Sequence, residues 1–130
     1  MEMAKTGYYY LHTNGNLIYK SSFVVESDPE YFSSPFVKKY WKIKFSDRKD
    51  AWTLIIEALA LGANINKIKE LADKWHLDFN DSVEFVSRIK PNPLLTKGMA
   101  LFIKNVLNMD VDEYWENKAK IRFEEIKSEN

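Results

Sequence analysis

The chain has 130 residues and no cysteine, and its nineteen lysines and arginines are balanced by nineteen aspartates and glutamates. That length suits a single domain with a real core. The missing thiols exclude disulfides, thiolate nucleophiles, zinc–cysteine sites and iron–sulfur clusters. Zero net charge excludes a global pull toward nucleic acid or an anionic membrane, so any such contact must come from a local patch. Met1 to Gly7 hold no apolar stretch of signal-peptide length, which makes a cytoplasmic protein without membrane contact the expectation.

In chain order, Tyr8 to Leu11 and Leu17 to Tyr19 flank Thr13-Asn14-Gly15-Asn16. Asn-Gly between β-prone runs predicts a hairpin with a type I′ tip. Centred on Asn14-Gly15, that turn places Leu11 opposite Ile18 and Tyr10 opposite Tyr19. Tyr9, Leu11 and Ile18 then share one face, and Tyr8, Tyr10, His12, Leu17 and Tyr19 the other. Phe23-Val24-Val25 extends the second strand. Asp28-Pro29 opens a short helical turn through Phe32, with Glu26, Asp28 and Glu30 as cap and first-turn acids. From Trp41 to Phe45 apolar residues and lysines alternate, which is a half-buried third strand with lysines guarding its edge.

The longest apolar run is Ala51 to Leu61, ended by Gly62. As a helix it is apolar nearly all round, apart from a stripe of Thr53, Glu57 and Ala60, so it belongs in the middle of the domain. Ser46 or Asp47 caps it. Asn64 caps a second helix with Ile65, Ile68, Leu71, Ala72 and Trp75 at helical spacing. Asp78 or Asn80 caps a third, carrying Phe79, Val83, Val86 and Ile89. A fourth runs from Leu95 to Leu107, with Gly98 as a weak point. Asp110 and Glu113 open the last, with Trp115, Ala119, Phe123 and Ile126 on one side. Strands first and helices after predict an α+β fold: an N-terminal hairpin plus a third antiparallel strand, packed on four to five helices. Residues 1–130 form one domain, mainly β over 8–45 and mainly α over 46–128.

Few residues point to catalysis. His12 sits near the hairpin tip as a rim residue and His76 at a helix end, where it meets the negative pole of its own helix. Neither has a second ligand type at metal-binding spacing. The four glycines form no phosphate loop, and no nucleophile elbow or zinc-protease pattern occurs. No catalytic residue, cofactor or metal is therefore nominated. An enzyme would need a site assembled from dispersed residues.

Three surfaces remain. The first is the tyrosine-rich N-terminal third, with Tyr8, Tyr10, Tyr19 and Tyr40 as candidate protein contacts, since aromatics bury large rigid area at small entropy cost. Filling the gap between sheet and helices would equally use such residues. The second is the basic-aromatic run, in which Lys38, Lys39, Lys42, Lys44, Arg48 and Lys49 stand against the single acid Asp47. Such a run can neutralise phosphates and stack bases; otherwise it is a solvated strand face whose aromatics point into the core, or the acidic C-terminal helix folds over it and neutralises it. The third is residues 65–90, which resemble a helix-turn-helix unit. There His76 stands where the turn wants glycine, and Asp81 and Glu84 deny the reading helix a positive face. A homodimer through Trp115, Phe123 and Ile126 is a further possibility.

Tyr8 to Lys20, Ser34 to Trp41, Asp47-Arg48, Ala51-Trp52 and Glu57 to Ala63 resemble small hypothetical proteins carried by phages and prophages. The likeness covers the first half of the chain. It implies a mobile-element origin and brings no functional residues with it. Such a source suits a host-directed binder or an accessory to phage DNA. The expectation is a small non-enzymatic protein that contacts another protein through its aromatic sheet region. The alternative is a nucleic-acid accessory using the 38–49 cations.

Overall fold

Asn14-Gly15 turns the chain by a three-residue route. In the computed structural model, which describes residues 6–21, 34–44, 47–90 and 92–128 (the side chains of 121–128 excepted), the His12 amide donates to the Asn16 carbonyl at 2.8 Å. The Gly15 amide donates back to the His12 carbonyl at 2.9 Å. Of the three loop residues only Gly15 takes positive φ, at 93°. This is a type I turn closed by a glycine bulge, not the type I′ turn that needs positive φ at both central residues. β1 (Thr6–His12) and β2 (Leu17–Ser21) accordingly pair Leu11 with Leu17, Tyr10 with Ile18 and Tyr9 with Tyr19. The predicted register was one residue off, and a one-residue slip exchanges faces. Leu17 and Tyr19 lie with Tyr9 and Leu11, while Ile18 and Lys20 join Tyr8 and Tyr10.

A turn from Ser34 to Val37, with Pro35 at its second position, leads into β3 (Val37–Lys44). β3 pairs antiparallel with the free side of β1, so the sheet order is β2-β1-β3. Pairing steps from Leu11–Lys39 to His12–Val37, which makes Lys38 the extra residue of a bulge. The predicted alternation holds: Trp41 and Ile43 are buried, and Tyr40, Lys42 and Lys44 are exposed.

The inner face of this sheet rests on α1 (Arg48–Ala60), capped by the Asp47 carboxylate, which accepts from the Lys49 and Asp50 amides at 2.9 and 3.4 Å. Trp52, Leu54, Ile55, Ile56, Ala58 and Leu59 are buried, as a helix apolar on most sides requires. Of the expected polar stripe, Thr53 and Glu57 are half-buried, and Ala60 is buried because neighbours close over that edge too. The hairpin tip docks at the end of α1, where the Asn64 amide donates to the Gly15 carbonyl at 2.9 Å.

Four more helices complete the described α+β fold: α2 (Ile65–Lys74), α3 (Phe79–Arg88), α4 (Pro93–Asn105) and α5 (Val111–Ser128). Asn64, Asp78, Asn92 and Asp110 cap them in turn through their side chains. α4 crosses α1 so closely that a Cβ on Gly98 would fall on the Ile56 carbonyl oxygen. The expected weak point is thus the crossing point of two helices, reachable only by a residue without a side chain.

On α3 the expected Phe79, Val86 and Ile89 pack against the core, with two further residues buried deeper, whereas α5 faces inward by a different stripe from the one expected. On α3 the buried residues are Ser82 and Phe85, with Val83 and Val86 half-buried. On α5 it is Tyr114 that is buried, while Trp115 and Ala119 are exposed. One polar contact joins the deeper-buried positions of the two helices: the Tyr114 hydroxyl meets the Ser82 hydroxyl at 2.8 Å inside the domain. A buried hydroxyl needs a partner, and each supplies the other's. The predicted extension at Phe23-Val24-Val25, the Asp28-Pro29 turn with Glu26 and Glu30, Tyr31, Phe45, Ser46, and the Phe123 and Ile126 side chains lie outside the described residues.

Candidate functional site

The sheet presents two faces. Its inner face carries the cross-strand rows Tyr19–Tyr9–Trp41, Leu17–Leu11–Lys39 and Ser21–Gly7–Ile43. Tyr9, Leu11, Leu17, Trp41 and Ile43 are buried there. Tyr9 packs edge-on to Trp75 of the α2 end at 5.8 Å, and burial pushes its hydroxyl up to about 12. Tyr19 lies across Gly7, and its ring meets Tyr9 at 5.3 Å. Tyr19 therefore leaves the group it was nominated with, because the register places it beside Tyr9.

The outer face carries two adjacent rows, Ile18–Tyr10–Tyr40 and Lys20–Tyr8–Lys42. Tyr8, Tyr10 and Tyr40 form a cluster with ring centroids 6.3–6.5 Å apart. Tyr10 is fully buried at its centre, whereas Tyr40 is 45% and Ile18 38% exposed. The Lys42 ammonium stands 5.7 Å from the Tyr8 ring centroid, a distance for cation–π attraction. Three of the four nominated tyrosines are thus brought together. Ile18 and Lys20 were missed; with the three-residue loop in place of the two-residue one, strand alternation would have put both on this face.

The basic run is divided among different uses. The Lys38 side chain, re-aimed by its bulge, donates to the Leu61 carbonyl at 2.6 Å and satisfies the end of α1. Lys39 pairs with Glu57 at 3.1 Å, and the same carboxylate accepts the Trp41 indole N–H at 2.8 Å. Arg48 reaches the α2–α3 turn, donating to the Trp75 and His76 carbonyls at 3.0 and 3.1 Å and to both Asp81 oxygens at 2.6 and 3.2 Å. The Asp81 hydrogen bond holds the Arg48 proton more tightly than usual, against the opposing pull of burial. The acids that answer the run therefore sit on α1 and α3. Lys42, Lys44 and Lys49 are exposed and pair with no acid among the described residues.

His76 sits at φ 55°, the conformation that glycine usually takes at a helix end. Its amide donates to the Asp73 carbonyl at 3.2 Å, and the Leu77 amide to that of Ala72 at 2.8 Å. The α2–α3 turn thereby becomes a closed cap with Arg48 plugged into it. In the helix-turn-helix comparison, the first-turn acid of the reading helix, Asp81, faces Arg48 and the Trp52 indole N–H, the latter at 2.5 Å. Glu84 and Arg88 further along α3 pair with each other at 2.9 Å. That outer face of α3 has no surplus positive charge for a phosphate backbone.

Beside Arg48 lies an open cavity of about 290 Å³, floored by Trp52, Phe85 and Ile89 and rimmed by Asp47, Lys49, Glu84 and Arg88. Its central acid and base, Asp81 and Arg48, pair with one another. A smaller apolar groove, about 130 Å³, runs between α3, α4 and α5 under Trp115. Among the described residues no group of three or more histidines and acids is arranged to hold a metal. No helix among them is long and apolar enough to cross a membrane.

Set against protein-family models, curated proteins and solved structures, the chain matches none of them.

Proposed function

We propose that this protein is a small binding protein, not an enzyme, that contacts another protein through the outer face of its sheet. The observation that carries this is the pair of rows Ile18–Tyr10–Tyr40 and Lys20–Tyr8–Lys42, an aromatic centre beside the exposed Ile18, Tyr40 and Lys42. Rigid rings rimmed by polar groups are the composition from which interface hot spots are built. The first-half resemblance to phage and prophage proteins falls on this same sheet and suits a cytoplasmic, host-directed binder. A nucleic-acid role is the second reading, supported by the three exposed lysines at 42, 44 and 49.

The test is site-specific photo-crosslinking in cells. A benzoylphenylalanine at position 40 or 18 should give one discrete crosslinked protein, and the same group at the exposed Lys97 on α4 should not. Crosslinks from all three positions alike, or from position 97 alone, would end the proposal. A gel shift at low salt decides the second reading, since a phosphate-binding surface binds most tightly there.

A further inference from the structure

Away from the sheet, we infer that two copies of this chain pair through the groove between α3, α4 and α5, each seating its Trp115 in the groove of the other. The groove is about 130 Å³ and is walled by Val86 and Ile89 of α3, Leu95 and Met99 of α4 and Val111 of α5. An apolar cavity of about 150 Å³ takes one benzene ring, so this groove is sized for a single aromatic side chain. Trp115 lines its rim. The Tyr114 ring meets the indole edge-on at 5.1 Å and the Lys118 ammonium stands 5.3 Å from its centroid, yet Trp115 is still 41% exposed. Hole and knob therefore lie side by side on one surface. A twofold interface requires that arrangement: the same patch on each copy, with residue i meeting j and j meeting i.

Charge selects a second copy over a foreign segment. Lys90 follows Ile89, and Lys104 lies one helical turn beyond Ala100, another groove residue. Asp112 follows Val111, and Glu116 follows Trp115; all four charged residues are exposed. The groove thus has a basic side on α3 and α4 and an acidic side on α5. A twofold axis along the groove sets the basic side of each copy against the acidic side of the other, twice over. A foreign segment carrying one sign of charge would be attracted by one side and repelled by the other. Zero net charge also lets two like copies approach without mutual repulsion. One indole and one groove per copy make a small contact, and small interfaces belong to weak, concentration-dependent pairs.

Sedimentation equilibrium of the full chain from about 1 µM to about 1 mM tests this, a range that reaches a weak pair. The apparent mass should rise from one chain toward two. Trp115→Ala should raise the dimer Kd about tenfold or more, since the indole is the anchor. Lys90→Glu with Lys104→Glu should weaken pairing about tenfold, and so should Asp112→Lys with Glu116→Lys. An equimolar mixture of those two variants should recover it, because the reversed sides then match. Should charge reversal unfold either chain, Lys104→Ala with Glu116→Ala replaces it, with weaker pairing again expected. A chain that stays monomeric throughout, or pairing that Trp115→Ala leaves intact, overturns the inference. So does a mixture of folded variants that associates no better than its components. In cells, benzoylphenylalanine at position 100 should give an adduct of twice the chain's mass, and a foreign protein captured there instead overturns the pairing. That mass sets a self-adduct apart from the foreign band expected at position 40, so this inference and the sheet reading fail separately.

Discussion

On the inner face of the sheet Lys39 ends on Glu57, the neighbouring Trp41 donates to the same carboxylate, and Tyr9 is shut between Tyr19 and Trp75. On the outer face Lys42 leans on Tyr8, and Tyr40 keeps nearly half its surface in solvent. Both faces draw on the same residue types, tyrosine and lysine, from the same strands. What separates them is the parity of the register and the presence of α1, with its one inward acid, on only one side. A lysine beside an aromatic is thus a structural strut when a carboxylate from another element reaches it, and a candidate contact when none does. Substitutions on the core side should cost stability, and those on the outer side should cost binding.

The largest loss should follow Trp52→Ala. Trp52 is 1% exposed and packs on Phe85 and Phe102 with ring centroids 5.5 and 5.0 Å away. Emptying that volume should remove about 3–5 kcal/mol in a denaturant titration. A loss below about 1 kcal/mol would mean that α1 is not the post on which the sheet rests. Gly98→Ala should come next, at about 1–3 kcal/mol, because the added methyl meets main chain that cannot swing aside. Asp81→Ala should cost a similar or slightly smaller amount, about 1–3 kcal/mol, since it leaves the Trp52 indole N–H without its acceptor and unplugs Arg48. None of these three helix-side changes should remove the position-40 crosslink in variants that remain folded.

How much of this was legible in sequence differs along the same divide. Features fixed by local chemistry were readable: the caps at Asn64 and Asp110, those at Asp47 and Asp78 as one of two candidates each, the buried middle helix, and the alternation from Trp41 onward. Features fixed by an encounter between distant segments were not. Asn-Gly permits a two-residue or a three-residue loop, and the docking of Gly15 against Asn64 accompanies the latter. Gly98 looks like a helix defect until Ile56 is placed against it. Ser82 and Tyr114 look like surface residues until each supplies the other's hydrogen bond. The basic run was visible, but Glu57 and Asp81, which divide it, lie sixteen or more residues away in sequence from the residues they hold.

Tyr9 gives the comparison a pH axis. Unfolded, it ionises near 10.0, and in the fold burial holds it neutral to about 12, with Tyr19 and Glu70 adding to the effect. The folded chain therefore keeps a proton that the unfolded chain gives up. The stability of the neutral form is whole below pH 10.0 and is lost as pH rises toward 12. Tyr9→Phe should remove this part of the alkaline loss, so the two chains should converge by on the order of 2 kcal/mol across that window. Equal slopes for parent and variant would show that the inner face admits the ionised ring. Tyr114 moves in the same direction, raised by burial against the lowering effect of Ser82.

The smallest effect sharpens the comparison most. Lys39 and Lys42 lie three residues apart on β3, one on each face. Lys39→Ala removes a partly solvated ion pair and should cost about 0.2–1 kcal/mol of stability. Lys42→Ala should stay within about 0.5 kcal/mol of the parent. In the position-40 crosslink the order should reverse, with Lys42→Ala weakening it and Lys39→Ala leaving it unchanged. Glu57→Gln completes a double-mutant cycle with Lys39→Ala: it keeps an acceptor for the Trp41 indole while removing the charge, so the coupling isolates the ion pair. Equal effects of the two lysines in both measurements would mean that the faces are not chemically distinct, and a binding role assigned to one of them would have no basis.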